Sequence, residues 1–426
     1  MPPRSLYFTN PFVMNPDIPD IYFCDRETET AWLIGTIING NNAVLTAERR
    51  MGKSSLLKHV LRQKEITNDY NTLYVDIYKT KNIKDFVEVF SDALLKSDYA
   101  RTEQAYKRLA NAIPEIKFYA KLQAGPISTG LETSIKNEYR NTLDRIFQFL
   151  GKTKRQNLII IDEFQTIEEY AGEKMAETLR TYMQATPNTH FIFSGSKTHM
   201  LLSMFKKKNR PFYESARVKE LKMIPKITYT EFCKRLFNAR KKDITDDAVD
   251  MAYSLFQGNT FEMQQIMNQV FSYTAPNKTA DRESVRFAVC SFIDENDSHY
   301  RSLFTMENER KERTEKEKNL LRCIGIEGLS SELMSNEKIS NYMLGSASSI
   351  QNTLEKLTNG DNPVLTKIGN KSYRITDKMF ELWIAEKNGI LQTKIDSAKE
   401  RFNKENTLKN ENPMDILPKL NPQFTP

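Results

Sequence analysis

Five short apolar runs in the first half of the chain, each bracketed by amphipathic stretches, constrain its fold more than any other feature. They are NAVLTA (42–47), TLYVDIY (72–78), NLIIIDEF (157–164), HFIFSGS (190–196) and VKELKMIP (218–225). A strand covered on both faces is apolar throughout, whereas a half-exposed strand alternates. The runs therefore predict a parallel sheet between helices, an α/β domain over residues 1–226.

Between the second and third runs, DFVEVFSDALL, TEQAYKRLANAI and NEYRNTLDRIFQFL have helical spacing, and KFYAKLQAGPISTGLETSI alternates around Gly125-Pro126 as a hairpin would. After Pro225 the strand pattern stops. TYTEFCKRLFNARKK, TDDAVDMAYSLFQG and NTFEMQQIMNQVFSYT predict a small helical domain over 227–306, with Gly258-Asn259 opening its last helix and Met263, Ile266, Met267 and Val270 as a packing stripe. The charged segment that follows, ENERKERTEKEKNLLRCI, reads as an exposed linking helix. Over 307–390, three helices, two short strands about Gly369-Asn370 and a closing helix have the layout of a winged helix. From Leu391 the chain reads as a polar tail.

A chain of 426 residues is too long for one core, and 39% hydrophobic with 27% charged residues is ordinary for a soluble protein. The formal charge of +7 is spread among mixed signs, so it does not by itself indicate nucleic acid. Cys24, Cys233, Cys290 and Cys323 are scattered, and no histidine stands near them at metal-ligand spacing; a reducing, cytoplasmic setting without structural zinc is expected. No window has the apolar length of a membrane helix, and the opening residues do not read as a secretion signal.

The first run leads into AERRMGKSSLLKHV. In a phosphate-binding loop, backbone N–H groups wrap a phosphate, a lysine reaches the β- and γ-phosphates, and a Ser or Thr hydroxyl holds Mg²⁺. Gly52, Lys53 and Ser54 stand between strand and helix as that role requires. Ala47 takes the place of the first glycine, and whether that position needs glycine's backbone angles is not legible in the sequence. At the end of the third run, Asp162 is placed to hold the metal shell and Glu163 to polarise a water; the plainer alternative is a strand ending in two solvated acids. Ser194 and Ser196 end the fourth run, either near a γ-phosphate or simply as a small-residue turn. The cations of MFKKKNR suit a helix C-terminus as well as they suit a ligand.

AERRMGKSSLL, IIIDEFQ, FIFSGSKTHMLLSMF and RPFY, in that order behind YFCDRETE, resemble the archaeal-type ATPase family, a STAND-related branch of P-loop ATPases close to AAA+ proteins. The resemblance extends over most of the chain, including the helical lid and winged helix, and implies a Mg²⁺-dependent ATPase acting as a nucleotide-controlled switch. It implies that Lys53 and Ser54 bind phosphate and Mg²⁺ and that Asp162 and Glu163 are the metal-holding and catalytic acids. The cofactor loop would comprise Ala47, Arg49, Arg50, Met51, Gly52, Lys53, Ser54 and Ser55, with Arg26 of Asp25-Arg26-Glu27 on the adenine side. Asp25 stands where the family has glycine.

The resemblance also calls for an arginine at the γ-phosphate, in its own or a neighbouring subunit. Arg210 and Arg217 are the candidates, although Glu214-Ser215 replaces the family's Gly-Arg there; both also read as surface ion-pair residues. The preference for ATP over GTP rests on the resemblance. The winged helix would contact DNA through Gln351, Asn352, Lys356, Lys367, Lys371 and Arg374, or else a protein partner or a second copy of the chain. With DNA as ligand, the chain would be an ATP-gated regulator with little turnover.

Overall fold

The computed structural model describes residues 10–15, 17–116, 138–170, 172, 174–306, 312–328, 330, 332–359, 363–368 and 372–403. The expected hairpin at Gly125-Pro126, the wing turn at Gly369-Asn370 and Lys371 lie outside the described residues. The chain forms two compact units, Asn15–Met223 and Ile224–Pro426, the second joined by the N-terminal segment Met1–Met14.

The first unit holds a five-stranded sheet in the order β2-β3-β4-β1-β5. Its strands are β1 (Ala43–Thr46), β2 (Tyr70–Asp76), β3 (Gln156–Asp162), β4 (Thr189–Gly195) and β5 (Arg217–Glu220), and every neighbouring pair is parallel. Alternate residues of the inner strands serve two separate cores. Val44, Ile159, Ile161, Phe191 and Phe193 join one, and Ala43, Leu45, Leu158, Ile160 and Ile192 join the other. Double burial explains why these strands read as unbroken apolar runs. Helix α1 (Glu27–Ile38) precedes β1, and helix α2 (Lys53–Arg62) follows it. The three helices expected between the second and third runs are present as Ile83–Lys96, Glu103–Ala112 and Glu138–Gly151.

The second unit begins with helices Lys226–Asn238, Asp246–Leu255, Thr260–Tyr273 and Arg282–Glu295. Asn259 caps Thr260–Tyr273 through its side chain, accepting from the Glu262 N–H at 3.2 Å, and the expected stripe of Met263, Ile266, Met267 and Val270 is fully buried. Residues 10–14 pack in this unit and not on the sheet, which corrects their expected place in a 1–226 domain. Phe12 is fully buried with its ring 5.6 Å from Phe237; the Asn10 side chain donates to the Asn268 carbonyl and the Asn268 side chain to the Phe12 carbonyl, each at 2.7 Å.

The winged helix comprises helices Glu315–Glu327, Asn336–Tyr342 and Ala347–Asn359, the antiparallel strands Leu365–Ile368 and Ser372–Ile375, and helix Lys378–Lys387. The charged run ends in the expected first helix of this unit, Glu315–Glu327, capped by a Thr314–Glu317 box, but it is not an exposed helix throughout, since Leu320, Leu321 and Ile324 are buried. Gly325 lets this helix meet the closing helix, since a Cβ there would lie 2.7 Å from Ile384. The expected polar tail starts with structure too: helix Leu391–Asp396 buries Lys394 and Ile395.

Lys394 turns inward to reach Glu381, which is 1% exposed and also bonded to the Lys378 ammonium at 2.8 Å. Burial pushes the Glu381 carboxyl up, but the two ammonium groups outweigh it and bring the pKa from 4.5 down to about 2. Because the folded value lies below the unfolded one, this contribution to stability is present above pH 4.5 and is lost as the pH falls through about 2. Replacing one partner leaves the others charged and buried. Glu381→Gln is therefore expected to destabilise the second unit by about 3–5 kcal/mol in denaturant unfolding at neutral pH, and to flatten the loss of stability expected of wild type below pH 4.5.

Candidate active site

Strand order sets the geometry. β1 leads into the phosphate-binding loop and β3 into the acidic pair, and β4 lies between them, so side chains from three strand ends converge at one edge of the sheet. Ligands of open α/β sheets bind outside such carboxyl ends.

Asp162 is 3% exposed and is the centre of the cluster. Its Oδ1 accepts from the Lys53 ammonium at 3.0 Å, from the Glu163 N–H at 3.0 Å and from the Ser194 hydroxyl. Its Oδ2 accepts from the Ser54 hydroxyl at 2.8 Å and the Tyr74 hydroxyl at 2.5 Å. Burial alone would raise its pKa, but Lys53 and the Ser194 and Tyr74 donors hold it at about 2. Lys53 is also buried, which lowers its pKa; the Asp162 and Glu163 carboxylates outweigh that and the net shift is upward. Both groups are therefore ionised at neutral pH. Burial and the Asp162 charge raise the Tyr74 hydroxyl, which keeps its proton as a donor.

Glu163 is held from two sides. Oε1 accepts from Lys53 at 3.2 Å, whereas Oε2 accepts from Gln165 Nε2 at 2.5 Å and from the Ser196 hydroxyl and N–H at 2.9 and 3.2 Å. Its backbone is left-handed (φ +56), a conformation that costs a non-glycine residue about 1–3 kcal/mol and clusters at functional sites. The 3-10 helix Phe164–Glu169 that begins there is anchored by Phe164, fully buried with its ring 4.3 Å from Phe193.

Within the loop, Gly52 caps α2 at φ +81, and a glycine cap has no side chain to cover the first-turn N–H groups. Arg50 is the other left-handed residue of the loop, at φ +66; Ala47 is not one, so the missing glycine removes no required backbone angle. Ala47 and Met51 are buried, Arg49 and Arg50 exposed, and Ser55 half-buried in the first turn of α2.

The remaining predicted residues fare differently. Arg26 is buried and left-handed at the start of α1, with Nη1 3.3 Å from Glu29 and Nη2 buried without a partner among the described residues. Arg210 pairs with Glu168 at 2.8 Å, on the 3-10 helix just past Glu163. Arg217 is not brought to the site: it opens β5 opposite Ala43, at the edge of the sheet away from the loop that follows Thr46. That corrects the expectation that it reaches a phosphate in its own subunit, since a parallel strand of this length separates the two edges by about 10 Å. Sequence reasoning missed Tyr74 and left Gln165 without a role. Tyr74 sits on β2, and only the pairing of β2 with β3 makes it a neighbour of Asp162.

Among the basic residues expected on the winged helix, Lys356 pairs with Glu317 and Arg374 bonds Gln257 at 3.3 Å. Gln351 bonds Glu355 at 3.3 Å, and Gln351, Asn352 and Lys367 are exposed.

Residues 23–266 match a family described as an ATPase domain predominantly from Archaea, and residues 304–386 match a probable winged helix domain. Among solved structures, a Walker-type ATPase of Pyrococcus abyssi is similar at 16% identity and a TM-score of 0.57, over 88% of this chain and 99% of that one. The ORC2 protein of Aeropyrum pernix in ADPNP-ADP complexes is similar at 12% identity and 0.51, over 93% and 99%. The ORC1 protein of Aeropyrum pernix in complex with DNA is similar at 13% and 0.50, over 92% and 100%. At such identities the likeness is one of fold: a P-loop ATPase core, a helical lid and a C-terminal winged helix. No curated protein matches the chain. Among the described residues no helix is long and apolar enough to cross a membrane.

The two small-residue positions of the loop should respond in opposite ways. Ala47→Gly is expected to leave nucleotide affinity within about twofold and to lower stability by about 0.4–1 kcal/mol through chain entropy. Gly52→Ala, forced into a left-handed conformation costing about 1–2 kcal/mol, should weaken nucleotide binding by at least about tenfold. Titration with a fluorescent ADP analogue, beside thermal unfolding, checks both.

Proposed function

Because this chain belongs to the family of ATPase domains found predominantly in Archaea, we propose that it binds Mg²⁺-ATP at the Ala47–Ser55 loop, hydrolyses it with Glu163 as base, and acts as a nucleotide-controlled switch. The observation that carries this is the convergence of Lys53, Ser54, Asp162 and Glu163 at one sheet edge, with Lys53 bridging both carboxylates at 3.0 and 3.2 Å.

The N-terminus of α2 suits a phosphate: its cap is glycine, its first turn has no acidic residue, and the helix dipole favours an anion there. The Ser54 hydroxyl and the Asp162 carboxylate form a hard oxygen pair that suits Mg²⁺, and these two residues would hold it. When bound, Mg²⁺ would neutralise charge on the phosphate oxygens. The triphosphate competes with the carboxylates for Lys53. As the ammonium moves onto phosphate, Oε1 of Glu163 is released and accepts a proton from water. The water oxygen attacks the γ-phosphorus, the bond to the bridging oxygen breaks, and ADP and inorganic phosphate result. Arg210 remains the candidate cation for developing γ-phosphate charge, since its partner Glu168 lies on the short helix that starts at Glu163.

The alternative is an ATP-gated DNA-binding regulator. Exposed Gln351, Asn352 and Lys367 support it, whereas the pairing of Lys356 with Glu317 weighs against it. A salt-dependent duplex affinity that changes with bound ATP and falls with Lys367→Ala would favour the alternative.

The hydrolytic reading separates two variants. Lys53→Ala is expected to lose nucleotide binding. Glu163→Gln should bind with affinity near wild type while phosphate release falls by about 10²–10⁴-fold, the usual worth of a general base. Equilibrium binding measured beside phosphate release decides this, and turnover by Glu163→Gln equal to wild type would reject Glu163 as the base.

A further inference from the structure

Gln165 has no part in the scheme above, yet it is 2% exposed and makes one of the shortest polar contacts in the site, donating through Nε2 to Oε2 of Glu163 at 2.5 Å. Its other amide atom, Oε1, is buried without a hydrogen-bond partner among the described residues. A buried amide that leaves an acceptor unsatisfied costs stability, and something else must require its placement. The residue facing it is Gly195, the last of β4. A Cβ at Gly195 would lie 1.9 Å from Gln165 Oε1 and 3.1 Å from its Cδ. Gly195 has no left-handed backbone angle to accommodate, so space for this amide is the physical reason for glycine there.

The two carboxylate oxygens of Glu163 are thus unequal. Among the described residues Oε1 accepts only from the Lys53 ammonium, whereas Oε2 meets Gln165 and both donors of Ser196. Resting on the hydrolytic reading above, we infer that Gln165 is a positioning residue that fixes Oε2 of Glu163, so that Oε1 is the oxygen presented to water once Lys53 moves onto phosphate, and that Gly195 is the spacer that admits it.

Gln165→Met keeps the approximate shape and removes the donor; Gln165→Ala removes both. Each is expected to lower kcat for phosphate release by on the order of 10- to 100-fold, the usual loss when an outer partner of a functional side chain is removed. The KM for ATP and the affinity for ADP should stay within about twofold, because nothing that meets the nucleotide has changed. Gly195→Ala should reproduce the loss by displacing the amide. The double variant Q165A/G195A should be no slower than Q165A and should melt above G195A, since removing the amide vacates the space the new methyl needs.

Wild-type kcat in Gln165→Met, or additive losses in the double variant, overturns the inference. A wild-type protein that binds ATP and releases no phosphate rejects the hydrolytic reading instead. The inference is then judged by the unfolding cycle alone, where additive melting shifts at residues 165 and 195 overturn it.

Discussion

The Asp162 carboxylate lies at the end of β3 almost out of reach of water, and an ionised group survives there only because neighbouring elements aim donors at it. Tyr74 comes from β2 on one side, Ser194 from β4 on the other, and Lys53 and Ser54 from the first turn of α2. The strand order β2-β3-β4-β1-β5 is what makes these four meet. The same arrangement leaves Lys53 shared between two acids, ready to be exchanged for phosphate. On the proposed mechanism, a charge that the fold must satisfy is also the charge that the chemistry uses.

Rigidity around the acidic pair comes from the core. Phe164 follows Glu163 directly and is locked among Phe193, Phe205 and Phe212, with ring centroids 4.3 to 5.9 Å away. This packing holds the left-handed turn at Glu163 that a free chain would avoid. The unpartnered oxygen of Gln165 is a second local cost in the same turn. Strain, an unsatisfied acceptor and the acid of a buried ion pair thus lie within residues 162–165, supported by one aromatic cluster. The second unit uses a buried charge differently: Glu381, with Lys378 and Lys394, fastens the first turns after Leu391 to the closing helix of the winged domain.

The sheet was legible in the sequence because its inner strands are buried on both faces, so Leu158 to Ile161 appear as an unbroken apolar run. The convergence of Lys53, Ser54, Asp162 and Glu163 was legible because a loop that follows one strand and acids that end another meet at the carboxyl edge of a parallel sheet. Tyr74 was not, because its neighbour depends on strand order, which no local pattern encodes. Phe12 was missed for a related reason: it packs against Phe232, Phe237 and Phe271, more than 200 residues later, and a lone aromatic near a terminus has no periodicity to declare it. Arg217 looked suitable by sequence position alone, and the parallel register with β1 sends it to the far edge. Ala47 looked like a defect, and the backbone angles show that Arg50 and Gly52 make the turn instead.

The central claim is that Lys53 is held by the acidic pair until a triphosphate replaces it. It is tested most directly by an experimental structure of the chain with Mg²⁺ and a non-hydrolysable ATP analogue. The account predicts the triphosphate against the first-turn N–H groups of α2, with the Lys53 ammonium on phosphate and withdrawn from Glu163, whose Oε2 stays on Gln165 and Ser196. A triphosphate bound elsewhere, or Lys53 still bridging Asp162 and Glu163 beside bound nucleotide, would contradict it.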